Sequence, residues 1–164
     1  MSRLLVLLAV ILSAVPAAQV QAQTTFVSGD IGAAVVGPPF VSLSEGSLGV
    51  TSRAGVGLEW ERVQLEFDAG FLAPADLDLS LGALLITSVD GSFIFREPDK
   101  DVRPYLGGGL DFVFLLSEDL FFGLPWAHLT AGIDTKISDR SSVYVEGRTY
   151  GLESQVSLGT KFRF

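Results

Sequence analysis

Apolar and polar residues alternate one by one along 62–72, RVQLEFDAGFL. Val63, Leu65, Phe67, Ala69 and Phe71 fall on one side, and Arg62, Gln64, Glu66, Asp68 and Gly70 on the other. Successive side chains of a β-strand point to opposite faces. The pattern therefore predicts a strand with one apolar and one charged face. The same alternation runs through 51–61, 105–114, 126–137 and 155–164. With the turn signals between such runs, the chain predicts eight strands at about 25–36, 48–60, 63–73, 77–95, 103–115, 126–137, 142–150 and 154–164. The run 77–95 is longer than one membrane pass needs and is expected to protrude. The connections at 61–62, 97–102 and 138–141 are short and polar, and the others are more varied. A two-residue turn at Glu61-Arg62 sets Glu59 opposite Gln64, Gly57 opposite Glu66, Gly55 opposite Asp68 and Arg53 opposite Gly70. Arg53 and Asp68 then become diagonal neighbours on one face.

Strict alternation fits two kinds of barrel. A soluble lipocalin-like carrier turns its apolar face inward, whereas a membrane barrel turns it outward to lipid. Three features favour the second. The polar face is rich in Gly, Ser and Thr, which suit a narrow interior. Trp60, Phe71, Phe93, Phe95, Phe114, Phe162 and Phe164 sit near strand ends on the apolar face, as an interfacial girdle would. The last strand also ends on an aromatic residue. In lipid an open sheet edge leaves backbone groups unsatisfied, so the sheet must close. The reading is an all-β fold: an eight-stranded antiparallel up-and-down transmembrane β-barrel with an apolar exterior. An eight-stranded barrel is just wide enough to be filled by side chains, so its polar interior is expected to be largely filled.

Composition agrees. Mean hydropathy is +0.44 and charged residues make up 18% of the 164, below the roughly 25% of soluble domains. Yet beyond the N-terminus no apolar run could form a membrane helix. That N-terminus reads as a signal peptide over 1–22. Arg3 precedes the apolar run Leu4–Leu12, then come small residues, and cleavage is expected after Ala22. The barrel domain is then 23–164. A net charge of −8 argues against nucleic acid as a partner. Without cysteine, and with a single histidine, neither a disulfide framework nor a His/Cys metal site is available. No cofactor site is read.

Three segments carry a family resemblance. Val156–Phe164, VSLGTKFRF, ends in Phe164 with Phe162 two residues earlier and Val156 and Leu158 alternating upstream. Arg103–Gly109 reads RPYLGGG, and Ala131–Asp134 is followed by the turn residues Ser138, Asp139 and Arg140. The chain resembles the small eight-stranded bacterial outer-membrane barrels: the transmembrane domain of outer-membrane protein A, and the OmpX-like and opacity proteins. The resemblance implies residence in the outer membrane, among its lipids and lipopolysaccharide, as a monomer. It also implies that Val156, Leu158, Phe162 and Phe164 form the signal read by the barrel-assembly machinery. Architecture does not settle function. A structural or surface scaffold is the leading expectation, with roles in adhesion or envelope integrity. A porin-like channel and a lipid-modifying barrel enzyme are the alternatives.

The inward charges are expected to pair, because an unpaired charge in a confined lumen is expensive. Asp30, Glu59, Glu66, Asp68, Asp111, Asp134 and Glu146 supply the acids; Arg53, Lys136, Arg148, Lys161 and Arg163 supply the bases. Such a network favours a plugged lumen over a cation path. His128 and Thr130 share the inward face, so a His–hydroxyl–carboxylate site is conceivable. However, Thr130 stands where lipid A deacylases carry serine, and His128 reads better as an interior polar residue, with no enzyme activity expected. In the loops, Phe40, Phe121, Phe122 and Leu124 are candidates for contact with a partner or lipid headgroups.

Overall fold

The computed structural model describes residues 24–36, 47–74, 84–95, 100–115, 121–122, 125–150 and 154–164. The strands are β1 (Thr24–Val36), β2 (Ser47–Glu59), β3 (Val63–Pro74), β4 (Leu84–Ile94) and β5 (Val102–Leu115). They continue with the two-residue β6 (Phe121–Phe122), then β7 (Trp126–Lys136), β8 (Ser141–Thr149) and β9 (Ser154–Arg163). Each long strand pairs antiparallel with its neighbours in the chain, β5 with β7, and β1 with β9 closes the ring. The eight long strands thus form an up-and-down barrel. The short β6 lies on the end of β5, pairing Phe114 with Phe122 and Leu115 with Phe121.

The turn at 60–62 sets the β2–β3 register. Trp60 N donates to Val63 O at 2.8 Å, and Glu59 then faces Gln64, Gly57 faces Glu66 and Gly55 faces Asp68. This is the register that a two-residue turn requires. Strand boundaries agree with the alternation to about two residues except at β4. There the described strand is Leu84–Ile94, no longer than its neighbours, and 75–83 lie outside the described residues.

Exposure decides which face is inside. Ile31, Leu129 and Val156 are 67%, 66% and 61% exposed, whereas Asp111 and Lys161 are 1% exposed. Apolar side chains point out and charged ones point in, the arrangement of a transmembrane barrel. Phe71, Phe93, Phe95, Phe162 and Phe164 are exposed at strand ends, as a girdle requires. Phe114 departs from that expectation: it is buried, at the point where β6 pairs alongside it.

Glycine makes room for aromatic rings inside. A Cβ on Gly132 would lie 2.4 Å from the Tyr105 ring, and one on Gly159 would lie 2.4 Å from that of Tyr144. The missing side chains are therefore what allows two tyrosines to lie flat in the lumen. Phe40 and Leu124 lie outside the described residues, as does the expected signal peptide.

Candidate functional site in the lumen

The interior charges form four tiers from the end that carries the chain terminus to the opposite, loop-bearing end. The first tier is a square. Arg103 bonds Glu59 at 2.6 Å and Asp134 at 2.7 Å, while Arg163 bonds the same two acids at 3.2 and 2.5 Å. Strand ends supply all four: Glu59 closes β2, Arg103 is second in β5, Asp134 lies near the end of β7, and Arg163 closes β9. Two guanidiniums alternating with two carboxylates make charge-assisted bonds around the ring, although Asp134 Oδ1 has no partner among the described residues.

Lys161 makes the second tier. Its ammonium lies over the rings of Phe26, Tyr105 and Tyr144 at 5.0, 5.3 and 4.8 Å from their centroids, and 3.5 Å from Glu66. A desolvated cation over several π faces gains from each ring quadrupole. Glu66 also accepts from Ser28 and, at 2.9 Å, from Gln64.

Arg53 centres the third tier. It bonds Asp30 at 2.8 Å and reaches across the lumen to Glu146 at 2.9 Å and Ser157 at 3.2 Å. Tyr144 and Tyr105 donate to Asp30 and Glu146 at 2.8 and 2.9 Å. The two aromatic walls of the Lys161 cage therefore also hold the acids that Arg53 bridges.

Arg148, near the end of β8, organises the fourth tier. It lies 2.9 Å from Asp90 and 3.5 Å from both Asp68 and Asp111. His128 sits between Asp90 and Asp111, with Nδ1 2.7 Å from Asp111 and Nε2 against Asp90. Ser88 donates to Asp111. Thr130 is buried, and its hydroxyl has no partner among the described residues. His128 is thus tied to carboxylates on both sides and not to Thr130, so the conceivable His–hydroxyl dyad is not assembled.

Of the charges expected in the lumen, all but one lie within these tiers. The exception is Lys136. Its side chain is 31% exposed, and its partner is Asp139, 3.1 Å away in the β7–β8 turn. Lys136 has inward parity but stands at the last position of β7, where a long side chain reaches the rim and water. Sequence reasoning missed Asp90, Arg103, Tyr105 and Tyr144. Asp90 was hidden in the over-long run 77–95. Arg103 stands in the RPYLGGG motif, yet its parity with Asp111 marks it as inward. The tyrosines count as apolar in a two-letter pattern, yet their hydroxyls bond acids. The four residues of the expected assembly signal, Val156, Leu158, Phe162 and Phe164, all point outward and are exposed.

A cavity of about 10 Å³ is lined by Asp30, Arg53, Asp68 and Glu146 among others, near the minimum for one water. Towards the loop-bearing end the lumen turns apolar. There Ala34, Leu72, Leu84, Ile86 and Val113 line a recess of about 30 Å³, with Trp126 and Tyr150 beside them. The expectation of a polar interior therefore holds for all but that last stretch.

No protein-family model and no curated protein sequence matches the chain. Solved structures do match it. Neisserial surface protein A is 15% identical, with 85% of this chain and 97% of that chain covered and a TM-score of 0.63. The N-terminal β-barrel domain of Pseudomonas aeruginosa OprF is 21% identical, with 88% and 100% covered and a TM-score of 0.61. A de novo designed transmembrane β-barrel is 14% identical, with 88% and 98% covered, and also has a TM-score of 0.61. A designed barrel superposes about as well as natural ones, so what is matched is architecture. The protein has the fold of the small eight-stranded outer-membrane β-barrels.

Proposed function

We propose that the protein is a plugged outer-membrane barrel that acts as a rigid scaffold for its loops, in a structural or surface role, and neither conducts nor catalyses. One observation carries this reading. Ion pairs cross the lumen from Arg163 at one end to Arg148 near the other, and the cavity between Arg53 and Arg148 holds only about 10 Å³. An ion crossing that space would have to displace several charge-assisted bonds at once. The loops that such a frame presents are the places where binding commonly resides.

In this reading the apolar belt meets lipid, and the longer connections at 37–46, 75–83 and 116–125 face the cell exterior and its lipopolysaccharide. The short turns and the C-terminus face the periplasm. Export uses the segment 1–22, and the barrel-assembly machinery reads the strand ending at Phe164. Among the described residues the eight long strands close on one another and leave no long edge to pair with a second copy, which supports a monomer.

Planar-bilayer recording of the refolded chain tests the proposal. Silent bilayers at neutral pH are expected, together with heat-modifiable migration on a denaturing gel. Steady unit conductance from the unmodified protein would overturn the scaffold reading in favour of a channel.

A further inference from the structure

His128 is the only histidine in the chain, and its side chain is fully buried. Both ring nitrogens meet carboxylate oxygens, Nδ1 at 2.7 Å from Asp111 Oδ2 and Nε2 in contact with Asp90 Oδ1. An ionised carboxylate only accepts, whereas a neutral imidazole has one N–H and one lone pair. A neutral ring would therefore set lone pair against lone pair in one of the two contacts. Each contact needs its own hydrogen.

The other oxygens of these acids already have donors. Arg148 Nη2 lies 2.9 Å from Asp90 Oδ2, and Ser88 donates to Asp111 Oδ1 with Arg148 Nη1 at 3.5 Å. With donors already seated on both acids, the geometry places the second hydrogen on the ring. Around the bridge, β8 contributes Arg148, Tyr150 just beyond its end sets a tilted ring 5.4 Å away, and β3 contributes Asp68 on the far side of Arg148. Arg148 opposes a positive ring, while Asp90, Asp111 and Asp68 favour it. The wider balance also favours it: among the described residues eight lumen-facing carboxyl groups meet five arginine and lysine side chains.

We propose that the Asp90–His128–Asp111 bridge is a proton-binding site, in which an imidazolium ties β4, β5 and β7 together beneath the apolar recess. At pH 7.5 an isolated imidazole is mostly neutral, so a doubly protonated ring at that pH marks the bridge.

The single histidine makes the test free of assignment. The chain is labelled with nitrogen-15 histidine, refolded in detergent micelles and examined by NMR at pH 7.5. Both ring nitrogens are expected to carry a bonded hydrogen. A spectrum with one protonated and one bare nitrogen would overturn the proposal. Asp90→Asn supplies an N–H that a bare Nε2 accepts, so this variant is expected to show the neutral ring at the same pH. A ring still doubly protonated in a folded Asp90→Asn barrel would also overturn the bridge as the site. If that variant fails to fold, the unmodified chain still decides.

Discussion

The Arg53 guanidinium lies 2.8 Å from Asp30 and 3.9 Å from Asp68. Register explains the order. Arg53 faces Asp30 directly across the β1–β2 ladder, whereas Asp68 on β3 is a diagonal neighbour. The closer pair also has a second clamp, because Tyr144 donates to Asp30.

Arg53→Ala therefore uncovers Asp30 and Glu146 more than Asp68. Removing one partner of a buried ion pair costs roughly 3–5 kcal/mol, and the remaining donors on these acids hold the expected loss to about 3 kcal/mol. Urea unfolding in detergent measures it. In double-mutant cycles the coupling of Arg53 to Asp30 should exceed its coupling to Asp68 by about 1 kcal/mol. Equal couplings would show that the network shares its charge more evenly than the distances indicate.

The barrel itself was legible in the residues because period-two alternation survives wherever one face meets lipid and the other meets charge. Val63–Phe71 shows this with no exception. The β2–β3 register was legible too, since Glu61-Arg62 leaves room for only one pairing. Partner choice was not. Sequence parity places Asp30, Arg53 and Asp68 on the inward face but does not fix the β1–β2 register across the long connection 37–46. Parity sets Tyr105 with Asp111 and Tyr144 with Glu146 on the inward face, but only closure of the barrel brings their hydroxyls to Glu146 and Asp30.

Lys161 depends on rings more than on acids. Three aromatic centroids lie within 5.3 Å of its ammonium, against one carboxylate at 3.5 Å. Lys161→Met keeps the volume and the contact with Phe26, Tyr105 and Tyr144, so it should lose about 1–2 kcal/mol. Lys161→Ala, which also leaves a void, should lose about 3 kcal/mol. Glu66→Gln should recover part of the loss in Lys161→Met. No recovery would mean that Ser28 and Gln64 already satisfy Glu66 without the lysine.

Two glycines make opposite predictions. A Cβ on Gly91 meets nothing within 4 Å, while one on Gly132 would strike Tyr105 at 2.4 Å. Gly91→Ala should be neutral or stabilising by about 0.5 kcal/mol, since it restrains the unfolded chain. Gly132→Ala should cost about 1–3 kcal/mol through displacement of the ring. It should also weaken the Tyr105–Glu146 bond. Tyr105→Leu combined with Gly132→Ala should be less harmful than the separate losses added. Unfolding midpoints of the four variants settle the comparison.

Phe164 separates recognition from stability. Its side chain is 76% exposed and points outward, and its backbone N–H donates to Thr25 O at 2.9 Å. Deleting it removes that one bond and one interfacial ring, a loss of about 1 kcal/mol in detergent. The ion-paired lumen is untouched, because Arg163 and its partners Glu59 and Asp134 remain. If Phe164 is read during assembly, the deletion should lower the folded barrel in the outer membrane several-fold while barely moving the urea midpoint of refolded protein. Unchanged membrane levels would remove its recognition role. A midpoint that falls in proportion to those levels would mean instead that the terminal residue acts through stability, as one more closure of the β1–β9 seam.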